Sequence, residues 1–116
     1  MATEVNVTDE FKAWYLGLTQ SERNSIIRIV GLLEEKGTLL GFPYSSAIQG
    51  SSIALRELRV QHMGDPFRIL YAFDPRRNAV LLVGGNKAGK GSRWYESAIA
   101  VAERVFAEYI TETGGE

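Results

Sequence analysis

Between Arg56 and Val83 the chain alternates with a period of two, and this stretch limits the possible folds more than any other. Leu58 and Val60 alternate with Glu57, Arg59 and Gln61, which gives a strand with one apolar face. Phe67, Ile69, Tyr71 and Phe73 then fall on one side of a second segment, with Arg68, Leu70 and Ala72 on the other. Ala79 to Val83 is apolar at every position, the pattern of a central strand covered on both faces. Gly64-Asp65-Pro66 and Asp74-Pro75-Arg76-Arg77-Asn78 supply the turns between them, with Asp65 and Asp74 as capping carboxylates. Three strands joined this closely form an antiparallel meander, and an apolar central strand needs helices to cover it.

The flanking segments supply those helices. Val5 and Val7 alternate with polar residues as a short first strand, and Thr8 is placed to cap a helix carrying Phe11, Trp14, Tyr15 and Leu18. Thr19 and Glu22 stand at capping-box spacing before a second helix striped by Ile26, Ile27, Val30 and Leu33, with Gly37 as its C-terminal stop. Residues 38–52, with Gly41, Pro43, Gly50 and four serines, read as loop. Ser92 is placed to cap a last helix striped by Tyr95, Ala98, Ile99, Ala102, Val105, Phe106 and Tyr109. The order is β-αα-βββ-α, an α+β domain over residues 1–110 with a polar tail at 111–116 that is expected to fray. A chain of 116 residues that is 45% apolar can form a core without staples.

Several chemistries are excluded at this point. There is no cysteine, hence no disulfide, thiol nucleophile or zinc-thiolate site. His62 is the only histidine, so a metal cluster with two His ligands is impossible, and no metal or cofactor is expected. It reads first as a hydrogen-bonded turn residue and only second as an acid/base group. The apolar run Ala79 to Val83 is far short of a membrane span, and no signal peptide is visible at Met1-Ala2-Thr3-Glu4-Val5, so the expected location is the cytoplasm.

Gly84 and Gly89-Lys90 match the spacing of a phosphate-binding P-loop, but Gly91 stands where a magnesium-holding Ser or Thr is needed. The loop still places Lys87 and Lys90 near a helix N-terminus, a fair phosphate site. Charge is also unevenly divided. Residues 56–93 hold eight bases and three acids, or +5, whereas the rest holds five bases and eleven acids, or −6, so the total of −1 conceals a basic half. Basic groups on strands and on the following loop can converge on one face and grip phosphates.

Taken together, Glu57-Leu58-Arg59-Val60, Phe67 to Pro75, and Gly84-Gly85-Asn86-Lys87 resemble the HigB-type branch of the RelE toxin superfamily. More closely, they are similar to its phage-derived group, whose blocks read E-L-R-V, Y-R-I-L-F-A-F-D-P and G-G-D-K. The resemblance covers about residues 4–110. It implies a RelE-like fold and the toxin half of a type II toxin–antitoxin system. The implied activity is endonuclease cleavage of mRNA in the ribosomal A site, without metal, by attack of the 2′-hydroxyl on the adjacent phosphate. The implied partner is a HigA-like helix-turn-helix antitoxin.

Matched residue by residue, the resemblance assigns Arg68 to stabilising the phosphorane and Arg59 to phosphate binding. It makes Lys87 a charge stabiliser or proton-transfer group, and Tyr95 a stacking or acid/base residue that equally fits core packing. Lys90, Arg93 and Arg56 are further RNA contacts. The lysine pair usual on RelE's second strand is absent, with Arg56 and Arg59 nearby instead, and the lysine doublet after the last strand is split into Lys87 and Lys90. The general base therefore stays open between Lys87, His62 and the ribosome, since arginine remains protonated. The rival readings are a non-catalytic RNA- or antitoxin-binding member of the fold, and a phage-derived structural protein.

Overall fold

A computed structural model describes residues 2–114. Its elements are β1 (Val5–Val7), α1 (Asp9–Leu16), α2 (Gln20–Lys36), β2 (Ser45–Ala47), β3 (Arg56–His62), β4 (Asp65–Phe73), β5 (Ala79–Asn86) and α3 (Ser92–Glu112). The five strands form one sheet in the order β1-β5-β4-β3-β2, and β1 runs parallel to β5 while every other pair is antiparallel. The meander is thus widened at both edges. Three residues of the serine-rich stretch read as loop form the edge strand β2, because Ser45 and Ser46 pair with Leu58 and Glu57.

Helices cover both faces. The α1–α2 hairpin packs on Leu58, Val60, Phe67, Ile69, Tyr71 and Leu81, and α3 packs on Leu70, Ala72, Val80 and Leu82. Thr8 caps α1 by accepting from the Phe11 N–H at 3.1 Å, and the Thr19–Glu22 capping box is complete. Ile27 was expected in the buried stripe of α2 but is 54% exposed, because the stripe turns inward at Ile26 and Leu33. Ser92 is the first residue of α3, not its cap; that position falls to Gly91, which has no side chain to accept from the helix. At the other end, α3 runs to Glu112, so Thr111 and Glu112 of the expected tail are helical, while Gly115 and Glu116 lie outside the described residues.

Two turns differ in detail. Met63 and Gly64 both have positive φ and join His62 to Asp65 directly, so Asp65 and Pro66 begin β4 and do not form the turn. Asp74 does cap its turn, accepting from the N–H groups of Arg76 and Asn78, each at 2.9 Å. No helix among the described residues is long and apolar enough to cross a membrane.

The paired glycines of the P-loop-like segment have a packing role. Leu70 lies opposite Val83 and Tyr71 opposite Leu81, so Leu82 is an extra residue and β5 carries a bulge. After the bulge, Gly84 faces the α1 side and Gly85 the α3 side. A Cβ on Gly84 would overlap the ring of Trp14, and one on Gly85 the ring of Trp94. Both glycines lie inside β5, and the sheet admits an indole on each face at this point. Gly84→Ala is expected to lower stability by about 1–3 kcal/mol through overpacking. Urea unfolding measures this, and an unchanged midpoint would mean that Trp14 packs elsewhere.

Candidate functional site

Strands β3 and β4 place Arg59 directly opposite Arg68, on the face that α3 covers. Like charges facing each other across a pair of strands repel. Glu57 lies two residues before Arg59 on the same face and answers both. Its Oε2 accepts from Arg59 Nη1 at 3.1 Å, and its Oε1 stands 3.6 Å from Arg68 Nε. Ser46, across from Glu57 on β2, donates its hydroxyl to Oε2 at 2.8 Å, and the Tyr95 hydroxyl of α3 makes a short hydrogen bond to Oε1. One carboxylate, 6% exposed, therefore joins two arginines, a serine and a tyrosine. A buried carboxylate needs partners of this kind to stay charged.

Arg68 is 5% exposed and donates through Nη1 to the Phe67 carbonyl at 2.9 Å. Its Nε is too far from Glu57 for a hydrogen bond and has no other partner among the described residues, so one guanidinium donor is unspent. The Tyr95 hydroxyl is pushed up from 10.0 to about 12, first by burial and then by its hydrogen bond to Glu57. It therefore remains protonated at neutral pH. Because the shift is upward, its contribution to stability is complete below pH 10.0 and is lost as the pH rises to about 12. Lys87, just past the end of β5, holds its ammonium 5.2 Å above the Tyr95 ring.

The structure thus brings Arg59, Arg68, Lys87 and Tyr95 together. Lys90 and Arg93 lie exposed on the loop and first turn that follow. Arg56 is separated from them. It pairs with Tyr71 on the opposite face of the sheet, where its Nε donates to Ser45 Oγ at 3.0 Å. His62 also faces away, its Nδ1 2.7 Å from Ser25 Oγ on α2, which agrees with a hydrogen-bonded turn residue. Arg59 and Arg68 line a cleft of about 720 Å³ that α2 closes with Arg28. A second hollow of about 510 Å³, lined by Val7, Phe11, Tyr15, Leu16 and Ile27, is mainly apolar and lies away from the cluster. From the sequence Glu57 is only a polar residue of its strand, and nothing there singles out Ser46 or Arg28. The signal for Ser46 was a serine three residues after a proline, too slight to mark a strand.

A profile of the family described as "Phage derived protein Gp49-like" matches residues 13–107. The chain belongs to the Gp49-like family. Relatives of this Gp49-like chain include two proteins of Mycobacterium tuberculosis (strain H37Rv) that carry the toxin names HigB2 and HigB3. It is 37% identical to the first over 90% of its own length and 36% identical to the second over 91%. It spans 53% of the HigB2 protein, about half, and 93% of the HigB3 protein. The free-state structure of a double-arginine variant of the E. coli toxin RelE superposes with a TM-score of 0.63 at 11% identity, covering 90% of this chain and 99% of that one. The Gp49-like chain therefore has the RelE fold and falls within the RelE/HigB toxin type.

Proposed function

We propose that the chain is the toxin of a type II toxin–antitoxin pair and an mRNA endonuclease that acts in the ribosomal A site. The observation that carries this reading is the grouping of Arg59, Arg68, Lys87 and the Tyr95 hydroxyl around the Glu57 carboxylate. In the reaction, the 2′-oxygen of the message bonds to the adjacent phosphorus and the bond to the 5′-oxygen breaks, leaving a cyclic phosphate and a free 5′-hydroxyl. One proton leaves the 2′-hydroxyl and one reaches the 5′-oxygen.

The cluster has a group for each need. Arg68, with its unspent Nε donor, and Arg59 stabilise the phosphorane charge, and Lys87 adds to it. Lys90 and Arg93 hold flanking phosphates. The Glu57 carboxylate is the acceptor at the centre of the cluster, so it is the candidate base, whereas the arginines and the lysine have no acceptor site. Tyr95 keeps its proton at neutral pH and is the candidate donor to the 5′-oxygen. These cations supply the charge stabilisation a metal would otherwise give, so the step is written without one. The partner is a HigA-like helix-turn-helix antitoxin, and the site of action is the cytoplasm.

The burial of Arg68 and the engagement of its carboxylate favour a second reading, a non-catalytic member that binds RNA or antitoxin. Induced expression separates the two. Growth arrest with messages cut within codons on primer extension, relieved by a helix-turn-helix antitoxin encoded beside this chain, is expected of the endonuclease. Continued growth with intact messages defeats it.

A further inference from the structure

The chain between α2 and β3 presents aromatic rings to solvent for which the fold itself has little use. Phe42 is 77% exposed and Tyr44 is 43% exposed. Burial does not explain them, since neither contributes to either core cluster. Both are nonetheless held in place. The Arg59 N–H donates to the Tyr44 carbonyl at 2.9 Å, which fastens this segment to β3 just past the end of the β2 pairing. The Arg59 guanidinium also lies 5.4 Å from the centre of the Phe42 ring. Tyr44 forms one wall of the cleft of about 720 Å³, Arg28 stands on its α2 wall, and Arg59 and Arg68 line its β3–β4 side.

Solvent-exposed rings beside several guanidinium groups suit a single nucleic-acid strand. Its bases stack on aromatics and its phosphates pair with cations, whatever the sequence. The cleft shares Arg59 and Arg68 with the proposed reaction centre. We propose that the Arg28–Tyr44 cleft, together with the Phe42 ring held against Arg59 beside it, is a binding subsite for single-stranded RNA next to the cleaved phosphate. Phe42 and Tyr44 stack bases, and Arg28 contacts a backbone phosphate. The inference rests on the endonuclease reading for what passes through the cleft, but it names residues that the reading does not use. An acidic segment of a partner protein would satisfy the three arginines but not the two exposed rings, so RNA is the occupant the observations favour.

The test uses the full chain and a short, fluorescently labelled single-stranded 2′-O-methyl RNA, which lacks the attacking hydroxyl and stays intact. Anisotropy at low salt measures its affinity for the wild type and for Phe42→Ala, Tyr44→Ala and Arg28→Ala. Each aromatic variant is expected to bind about 5- to 100-fold more weakly. Arg28→Ala is expected to weaken binding and to reduce the slope of log affinity against log salt by about 0.7, one phosphate contact on a single strand. The three side chains lie outside the cores, so unchanged melting curves serve as the folding control.

Absence of binding by the wild type, or equal binding by all three variants, overturns the subsite. Variants that bind RNA normally but no longer bind antitoxin would make the cleft a protein-docking surface, which also overturns it. If the wild type binds through these residues but never cuts a message, the subsite stands and the endonuclease reading fails. If it cuts messages while the variants bind and cut as it does, the endonuclease stands and the subsite fails.

Discussion

Arg68→Ala is expected to lower message cleavage by about 100- to 1000-fold, the usual loss when one preorganised charge stabiliser is removed from a reaction centre. Arg68 sits in the middle of the cluster, opposite Arg59, beside Glu57, and on the wall of the cleft. Because the side chain is buried, alanine also leaves Glu57 with one cation fewer, so the variant is expected to lose stability as well as activity. Arg68→Lys separates the two effects. It keeps a positive charge beside Glu57 and is expected to fold, yet it lacks the planar fork that offers parallel donors to a phosphate, so cleavage still falls. Arg76→Ala and Arg77→Ala are the comparison. Both residues lie beyond Phe73, with about 17 Å of strand between that residue and Arg68, and only modest losses are expected there. Primer extension in a translating extract, with melting curves, gives both quantities. Wild-type cleavage by Arg68→Ala would move the reaction centre away from β4.

The centre of this fold was legible in the sequence because the pattern there has a single cause. A strand apolar at every position, Ala79 to Val83, can only be covered twice, and the structure covers it with α1 on one side and α3 on the other. The edges were harder to read. β2 is three residues long, contains two serines, and owes its existence to Leu58 and Glu57 across from it, a tertiary cause with no local trace. The parallel pairing of β1 with β5 likewise joins residues more than seventy positions apart.

The candidate site was legible in part for the same reason. Arg59 and Arg68 stand in alternating strands, so their shared face followed from period and register. Arg56 sits in the same strand as Arg59 but differs from it in parity, which sends it to the hairpin face. Counting charge along the chain treated all eight bases of residues 56–93 alike and set Arg28 in the acidic remainder. In the folded chain Arg28 returns to the basic cleft, whereas Arg76 and Arg77 leave it. Gly84 fitted the phosphate-loop spacing with Gly89-Lys90 because small residues serve both purposes. Only the positions of Trp14 and Trp94 reveal which purpose applies.

Glu57 tests whether the cluster's carboxylate reacts or only holds other groups in place. Glu57→Ala leaves Arg59 and Arg68 facing each other without a counter-ion, and breaking a buried pair in this way costs about 3–5 kcal/mol. Most of that loss comes from the Arg68 arm, since the Arg59 side chain is 32% exposed and water screens it. Glu57→Gln keeps the shape and one acceptor oxygen, so it can accept from Tyr95 or from Ser46 but not from both, and it is expected to be the more stable of the two variants. It cannot take up a proton at neutral pH. If Glu57 removes the proton of the 2′-hydroxyl, Glu57→Gln lowers cleavage by about 100- to 10,000-fold. If Glu57 only positions Arg68, the loss is smaller. Addition of the antitoxin to the variant gives a further control, since a correctly folded toxin surface still binds it. A stable Glu57→Gln variant that cuts messages at close to the wild-type rate would remove the carboxylate from the chemistry and return the base to Lys87 or to the ribosome.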